Sequence, residues 1–313
     1  MITTSTNIEA IHQKVYNDML QESFEDNILG MGLFSDMSAA FPHGDELNVS
    51  QIGQVTLTDY SEDSPLDFKS IDTSRITLSV TDYPADAFYM TDKAKQDMAV
   101  ASEMFRKRVK QSLYAFDKAL ETDIYQACND VQTAADTNTI SGREHRKALA
   151  SGATAQNVID AIADIKWSFD KANVPEVGRI LIVDSSVENK LNKGTQVVSS
   201  DNPQFRGIIE TGFARNHRFV RNIHGFDIFV SNLLPAIASE TVDSVAVTSG
   251  VCNIAMCVAD DDCKPVMGVI RQSPSARMAR DDDNLRDKWY ATARWGFSTY
   301  RPESVYCLLT QFS

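Results

Sequence analysis

Between Asp92 and Val131 the chain contains neither proline nor glycine. Across that window Met98, Ala101, Phe105, Val109, Leu113, Phe116, Leu120, Ile124, Ala127 and Val131 recur at intervals of three or four. Such spacing places one apolar stripe along one face of an α-helix. Thr91 and Asp92 supply N-cap chemistry at its start. At ~1.5 Å per residue an unbroken helix of this span is roughly 50–60 Å long. A compact globule built from a chain of this size has a radius of gyration of only about 20 Å. The helix is therefore expected to serve as a beam across the molecule. No heptad seam is sustained elsewhere in the chain, which favours a single beam over a fibrous coiled coil.

An extended region precedes the beam. Residues 47–58, LNVSQIGQVTLT, are strand-like. The polar run DYSEDSPLDFKS at 59–70 interrupts them, and Pro65 speaks against a central strand there. Ile76, Leu78 and Val80 then alternate with Thr77, Ser79 and Thr81, the period of a half-buried strand. Pro84 breaks that pattern, and Phe88, Tyr89 and Met90 form a second apolar patch. The expectation is a two-stranded excursion over residues 47–90. A lone ribbon is marginal in water, so something must cover it. Further upstream, Ile11, Val15, Met19, Phe24 and Ile28 recur at roughly helical spacing in a short amphipathic segment over 7–29.

Beyond the beam, residues 132–153 hold few large apolar groups and read as a loop or boundary. Val158, Ile162, Ile165 and Phe169 share a helix face that Pro175 and Gly178 bring to an end. Arg179–Val183 reads as a strand, followed by a short helix capped by Ser185 or Ser186. Gly225 opens a turn into a strand of Phe226, Ile228 and Val230. Val245–Val247 and Val251–Val258 are further strand candidates, and Trp289 to Leu309 read as two strands around Arg301 and Pro302. The helix–strand–helix order that opens this region is typical of an α/β or α+β domain.

Composition narrows the function classes. With 30 basic and 43 acidic residues the formal charge is −13, which argues against a broad nonspecific nucleic-acid surface. The N-terminus lacks the apolar core of a signal peptide, and no run reaches the 18 apolar residues of a membrane span. The expected setting is the cytoplasm in which the chain is made. Cys252, Cys257 and Cys263 are spaced irregularly, unlike the short pairs of structural zinc sites, and read as ordinary thiols. The acidic runs 260–262 and 281–283 lack the alternating ligands of a calcium loop. There is no dinucleotide fingerprint and no phosphate loop, so no metal and no cofactor is expected. Asp184, Ser185 and Ser186 follow an apolar strand, but the Gly-x-Ser-x-Gly elbow is missing and capping explains them better. A hydrolase centred on Asp184, Ser185 and His224 remains the enzymatic alternative, and the expectation is a protein that is not an enzyme. Two basic clusters remain, Arg106, Lys107, Arg108 and Lys110 on the beam and Arg215, Arg218 and Arg221 further on. Both suit a solvated face or an acidic neighbour surface.

Taken in order, these elements resemble a tailed-phage major capsid protein of the HK97-like fold, over nearly the whole chain. The segments carrying the likeness are RITLSVTDYPADAFYMTD, the helix KAKQDMAVASEMFRKRVKQSLYAFDKALETDIYQA, VPEVGRILIVDSSVENKLNK, the strand with Gly225, Phe226, Ile228, Val230, Ser231, Asn232 and Pro235, and WGFSTYRPESVYCLL. The resemblance implies an N-terminal arm over 1–46 and an extended loop over 47–91. It implies a spine helix with peripheral domain over 92–150, an axial domain over 151–270, and a return to the peripheral domain over 271–313. It further implies a subunit of an icosahedral head, assembling into pentamers and hexamers around double-stranded DNA without sequence-specific binding. Portal, decoration and separate scaffolding proteins are the implied partners, the last because only about 46 residues precede the loop. The implied location is the virion, after assembly in the host cytoplasm. Ile76, Leu78, Val80, Phe88, Tyr89 and Met90 are the candidate contacts of the extended loop with the next subunit. The two basic clusters are the candidate polar contacts. A non-viral encapsulin-like cage of the same fold, or a plain oligomeric scaffold, would share this architecture.

Overall fold

The computed structural model describes residues 31–52, 73–97, 101–131, 139–140, 143–193 and 222–312, with isolated positions at 57, 59 and 62. The amphipathic segment at 7–29, most of the polar run at 59–70 and the basic cluster at 215–221 lie outside the described residues. After a 3₁₀ turn at Met31–Leu33 come strands β1 (Ser35–Asp36), β2 (Glu46–Ile52), β3 (Thr73–Ser79) and β4 (Ala85–Thr91). Helices α1 (Asp92–Asp97) and α2 (Ala101–Asn129) follow. Short strands β5 (Thr139–Ile140), β6 (Arg143–Glu144) and β7 (Arg146–Leu149) lead to helix α3 (Ala155–Lys171). Then come β8 (Arg179–Val183), helix α4 (Ser185–Lys193), β9 (Asn222–Ile223), β10 (Phe226–Val230) and β11 (Ala236–Val242). The chain closes with β12 (Val245–Cys257), β13 (Val266–Asp281), β14 (Arg286–Thr299), a 3₁₀ turn at Pro302–Ser304 and β15 (Val305–Thr310).

The chain divides into two compact units. One takes in Ala85–Ala115 and Ala276–Ala291; the other takes in the segment ending at Pro84, Phe116–Ser275 and Thr292–Ser313. In the larger unit a seven-stranded mixed sheet runs β7-β15-β12-β8-β10-β9, with β11 paired to β12. One face is covered by Val158, Ile162, Ile165 and Phe169 of α3 and Val187 and Leu191 of α4. These meet Leu181, Val183, Phe226, Ile228, Ala255 and Leu308 from the strands. Thr154 holds the start of α3 in a capping box with Asn157. The opposite face carries Ile180, Ile182, Cys252, Ile254, Met256, Cys307 and Leu309, all buried. The second half of α2 packs there, with the Cys307 thiol donating to the Cys128 carbonyl at 3.6 Å; Thr299 Oγ1, at the end of β14, donates to the Ala127 carbonyl at 3.0 Å. Cover on both faces explains why β8 is buried at every position, a run that shows no alternation in sequence.

The quoted sequence segments have local physical causes. In VPEVGR the buried Arg179 folds back, giving Nη2 to the Val174 carbonyl at 2.7 Å and Nε to the Pro175 carbonyl at 2.9 Å. Gly178 stands at φ +75°, with Ala259 backbone atoms 2.8 Å from where a Cβ would sit. Glycine alone meets both demands. His224 and Gly225, at φ 51° and 86°, make the two-residue turn between β9 and β10. Helix α4 is capped by Asp184, whose carboxylate accepts from the Ser186 amide at 2.9 Å; the expected caps, Ser185 and Ser186, are its first helical residues.

The beam is helical over Asp92–Asp97 and Ala101–Asn129, and residues 98–100 lie outside the described positions. The α2 portion alone is about 43 Å long. Its apolar stripe is not equally buried along its length. Phe116, Leu120, Ile124, Ala127 and Val131 are buried, Phe105 and Val109 are half-buried, and Leu113 is 49% exposed. The extended region also differs from the sequence reading. Among the described residues the two-stranded sheet holds β2 and β3, in register from Glu46↔Ser79 to Ile52↔Thr73. Strand β4 belongs instead to a four-stranded sheet of order β1-β13-β14-β4. The change of partner falls before Pro84: Asp82 already pairs with Trp295 of β14, and the Pro84 carbonyl accepts from the Ala293 amide at 3.1 Å.

Candidate assembly surfaces

The β2–β3 ribbon is rooted in the larger unit by a dense set of contacts. Leu47 pairs with Leu78 and Val49 with Ile76 across the ribbon, which puts these side chains on one face. That face packs on Phe41, Met267 and Val269. The opposite face is polar, where Thr77 Oγ1 donates to Asn48 Oδ1 at 3.0 Å. Below the ribbon, Asp82 and Trp295 exchange backbone hydrogen bonds of 3.1 Å each. Arg294 Nη2 donates to Asp45 at 3.0 Å and to the Val80 carbonyl at 3.4 Å, and Arg271 Nη2 donates to the Gly44 carbonyl at 2.8 Å. Strand β3 crosses Gly296 so closely that a Cβ there would stand 2.3 Å from the Ser79 carbonyl oxygen. The ribbon is thus a two-edged strand pair with a fixed root. Among the described residues neither strand has a second partner, and open edges of this kind are a liability that an assembly can cover with a neighbour.

The smaller unit is built around an aromatic cluster. The strand period sends Asp86, Phe88 and Met90 to the helix side of β4 and leaves Ala85, Ala87 and Tyr89 exposed. The Phe105 ring lies 5.6 Å from Phe88 and 4.4 Å from Trp289, centroid to centroid. Arg108 reaches across to Asp86 at 2.7 Å and lies over the Phe88 ring. Burial works against the Asp86 charge, but the Ser112 hydroxyl and Arg108 outweigh it and hold its carboxyl below the ordinary value. At the far end Arg280 binds Asp92 and Asp287, and Lys95 also pairs with Asp287. Asp281 is held well below the usual carboxylate range by Lys288, Asn284 and Arg286. The acidic run at 281–283 therefore closes a hairpin through ion pairs, which repetition in sequence did not reveal.

The candidate contact residues fall into three groups. Leu78 and Val80 are buried in the chain's own core, and Ile76 packs partly on the same cluster. Phe88 and Met90 are half-buried, Phe88 within the aromatic cluster, whereas Tyr89 is 60% exposed with Arg286 over its ring. Arg106, Arg108 and Lys110 are exposed and Lys107 is half-buried; Arg215, Arg218 and Arg221 lie outside the described residues.

The enzymatic constellation is not assembled. Strand β10 runs parallel to β8 with Asp227 beside Ile180 and Val230 beside Val183. His224 lies before one strand and Ser185 after the other, so about eight residues and roughly 25 Å of strand separate them. Cys252 and Cys257, five apart on β12, point to opposite faces of the sheet. Among the described residues no group of three or more His, Cys, Asp or Glu side chains is arranged to hold a metal ion.

Comparison with known proteins places this architecture. A family described as phage capsid protein matches residues 74–308. A search among curated proteins returned no match. Among solved structures, the capsid of cyanophage P-SCSP1u superposes with a TM-score of 0.75 at 15% identity, covering 100% of this chain and 97% of that one. The bacteriophage PhiM1 mature capsid gives 0.73 at 15% identity, covering 95% and 91%. A structure from Mycobacterium phage Che8 gives 0.71 at 18% identity, covering 95% and 96%. At such identities the structural likeness is one of fold, while the family match spans most of the sequence and includes β3, the helical beam and the seven-stranded sheet. The chain belongs to the phage capsid protein family and has the HK97-like α+β fold of tailed-phage major capsid proteins.

Proposed function

We propose that this chain is the repeating structural subunit of an icosahedral phage head, arranged in pentamers and hexamers around double-stranded DNA. The observation that carries this reading is the open-edged β2–β3 ribbon, firmly rooted, in a chain of the phage capsid family. In this reading the ribbon begins the extended loop and α2 is the spine. The smaller unit belongs to the peripheral domain, and the seven-stranded sheet with α3 and α4 forms the axial domain. The role is geometric and needs no catalysis. Repetition in a closed shell multiplies modest contacts into a stable particle. Portal, decoration and a separate scaffolding protein are the further partners, and assembly takes place in the host cytoplasm.

Negative-stain microscopy of the expressed chain tests the reading. Closed shells or capsomers are expected, and a protein that stays monomeric across concentration and with its phage partners overturns it. Tyr89 offers a sharper probe because its side chain is exposed. Tyr89→Ser should lower particle yield while leaving the unfolding midpoint of free subunits unchanged. Phe88→Ser should lower both, since Phe88 packs within the subunit.

A further inference from the structure

The sheet of the smaller unit packs one face on α2 and turns the other outward. On β4 the strand period sends Ala85, Ala87 and Tyr89 to the outer face, and all three are exposed. On β14 Asp287 meets Lys95 and Trp289 meets Phe105 on the inner side, so Arg286, Lys288 and Tyr290 point outward. Two backbone bonds fix how these rows meet: Asp92 donates to the Leu285 carbonyl at 3.0 Å, and Ala293 donates to the Pro84 carbonyl at 3.1 Å. The antiparallel ladder between them sets Tyr89 opposite Lys288 and Ala87 opposite Tyr290. Arg286 lies over the Tyr89 ring, 4.7 Å from its centroid. Asp281 of β13 pairs with Arg286 and Lys288 on this side, and Ala279 and Arg277 follow it there at intervals of two.

This face is apolar at its centre and cationic beside it. Ala85, Ala87 and Ala279 make a low floor next to Tyr89 and Tyr290, which are 60% and 39% exposed. Strand β4 ends its sheet among the described residues, yet its outer row over 85–89 carries no charge. A face that meets only water alternates to polar residues, and an end strand is ordinarily protected by charge. Of the charged groups here, the Asp281 side chain is 10% exposed beneath its partners, whereas Lys288 is 46% exposed. Arg277 is exposed as well. The face therefore presents cations, in a chain whose formal charge is −13. We infer that it receives a carboxylate-bearing surface of a second copy of this chain, an inference that rests on the shell-subunit reading above. Tyrosines and arginines around small apolar residues match the core of a protein interface and suit side chains better than a phosphate backbone. The acidic excess of the chain supplies the complementary charge. The surface given differs from the surface received, so the contact is heterologous and closes rings. Tyr89 then belongs to a receiving surface, not to an arm that reaches out.

Carbodiimide cross-linking of the full chain tests this. The reagent joins touching carboxylates and lysine amines as amides, and the experiment uses particles assembled from equal light and ¹⁵N-labelled subunits. Isotopically mixed links from Lys288 are the expected result, beside the single-isotope link to Asp281 that its own ion pair gives. Particles in which Lys288 yields only single-isotope links overturn the inference. A Lys288 that reacts freely in empty particles and is shielded only once DNA is packaged would give the face to the genome and overturn it too. A double variant supplies a second readout. Arg277→Glu with Tyr290→Ser should lower particle yield by about tenfold or more, with the unfolding midpoint of free subunits unchanged. If that variant assembles like the wild type, the inference fails while the shell-subunit reading stands. A wild-type chain that forms no particles overturns both.

Discussion

Replacing Gly296 by alanine tests whether the ribbon's root is fixed by close backbone approach. The new Cβ would meet the Ser79 carbonyl oxygen at 2.3 Å and Val80 Cα at 2.8 Å. Both are backbone atoms and cannot rotate away. Restoring ordinary contact requires β3 and β14 to separate by about 1 Å. The paired Asp82–Trp295 hydrogen bonds, now 3.1 Å each, would then stretch beyond useful length. Overpacking strain of about 1–3 kcal/mol adds to about 1 kcal/mol for each lost hydrogen bond. A total destabilisation of about 3–5 kcal/mol is expected for the larger unit. Urea denaturation of unassembled subunits measures it, with particle yield recorded beside it. Gly152→Ala is the control, because no atom lies within 4 Å of its added Cβ. Should Gly296→Ala match that control in both midpoint and yield, the close-approach argument is refuted.

Two further outcomes rest on charge. Arg146 is buried and holds Glu240 on β11 and both the carbonyl and the side chain of Asn129 at the end of α2. Arg146→Ala should cost about 3 kcal/mol, the low end for breaking a buried pair because Glu240 keeps some access to water; a urea midpoint indicating less than about 1 kcal/mol would contradict this. In the outer hairpin Asp92 is held low by Arg280, Asp281 by Lys288, Asn284 and Arg286, and Asp287 by Lys95 and Arg280. Folded-state values below the unfolded one mean that the stabilisation is complete above the ordinary carboxylate value of 3.8 and is lost as pH falls through the depressed values. Amide exchange over Ala276–Ala291, corrected for intrinsic rate, should stay flat from pH 7 to 5 and rise only in stronger acid. A rise between pH 7 and 5 would show that other groups control the hairpin.

Periodicity and local turn chemistry by themselves determined the helices over 101–129 and 155–171, the strand Arg179–Val183, and the turn at Gly225. Each is encoded within a few residues, by apolar spacing, a cap, or a glycine at positive φ. The order of such segments also carried the resemblance that the family match bears out. What only the tertiary structure decided is non-local. Ile76, Leu78 and Val80 read as one outward-reaching arm, but Leu78 and Val80 are buried because Phe41 and Met267, distant in sequence, close over them. Phe88 and Met90 look continuous with that arm, yet from Asp82 onward the chain pairs with β14. The stripe on α2 is regular in sequence, and its burial changes along the helix because each half packs against different elements. Parallel pairing of β8 and β10 sets Ser185 and His224 at opposite ends of two strands. Arg146 and Arg179 are buried because the fold brings carbonyls and carboxylates to them. A side chain's face follows from its own segment; its partner depends on which strand lies alongside, and the whole chain decides that.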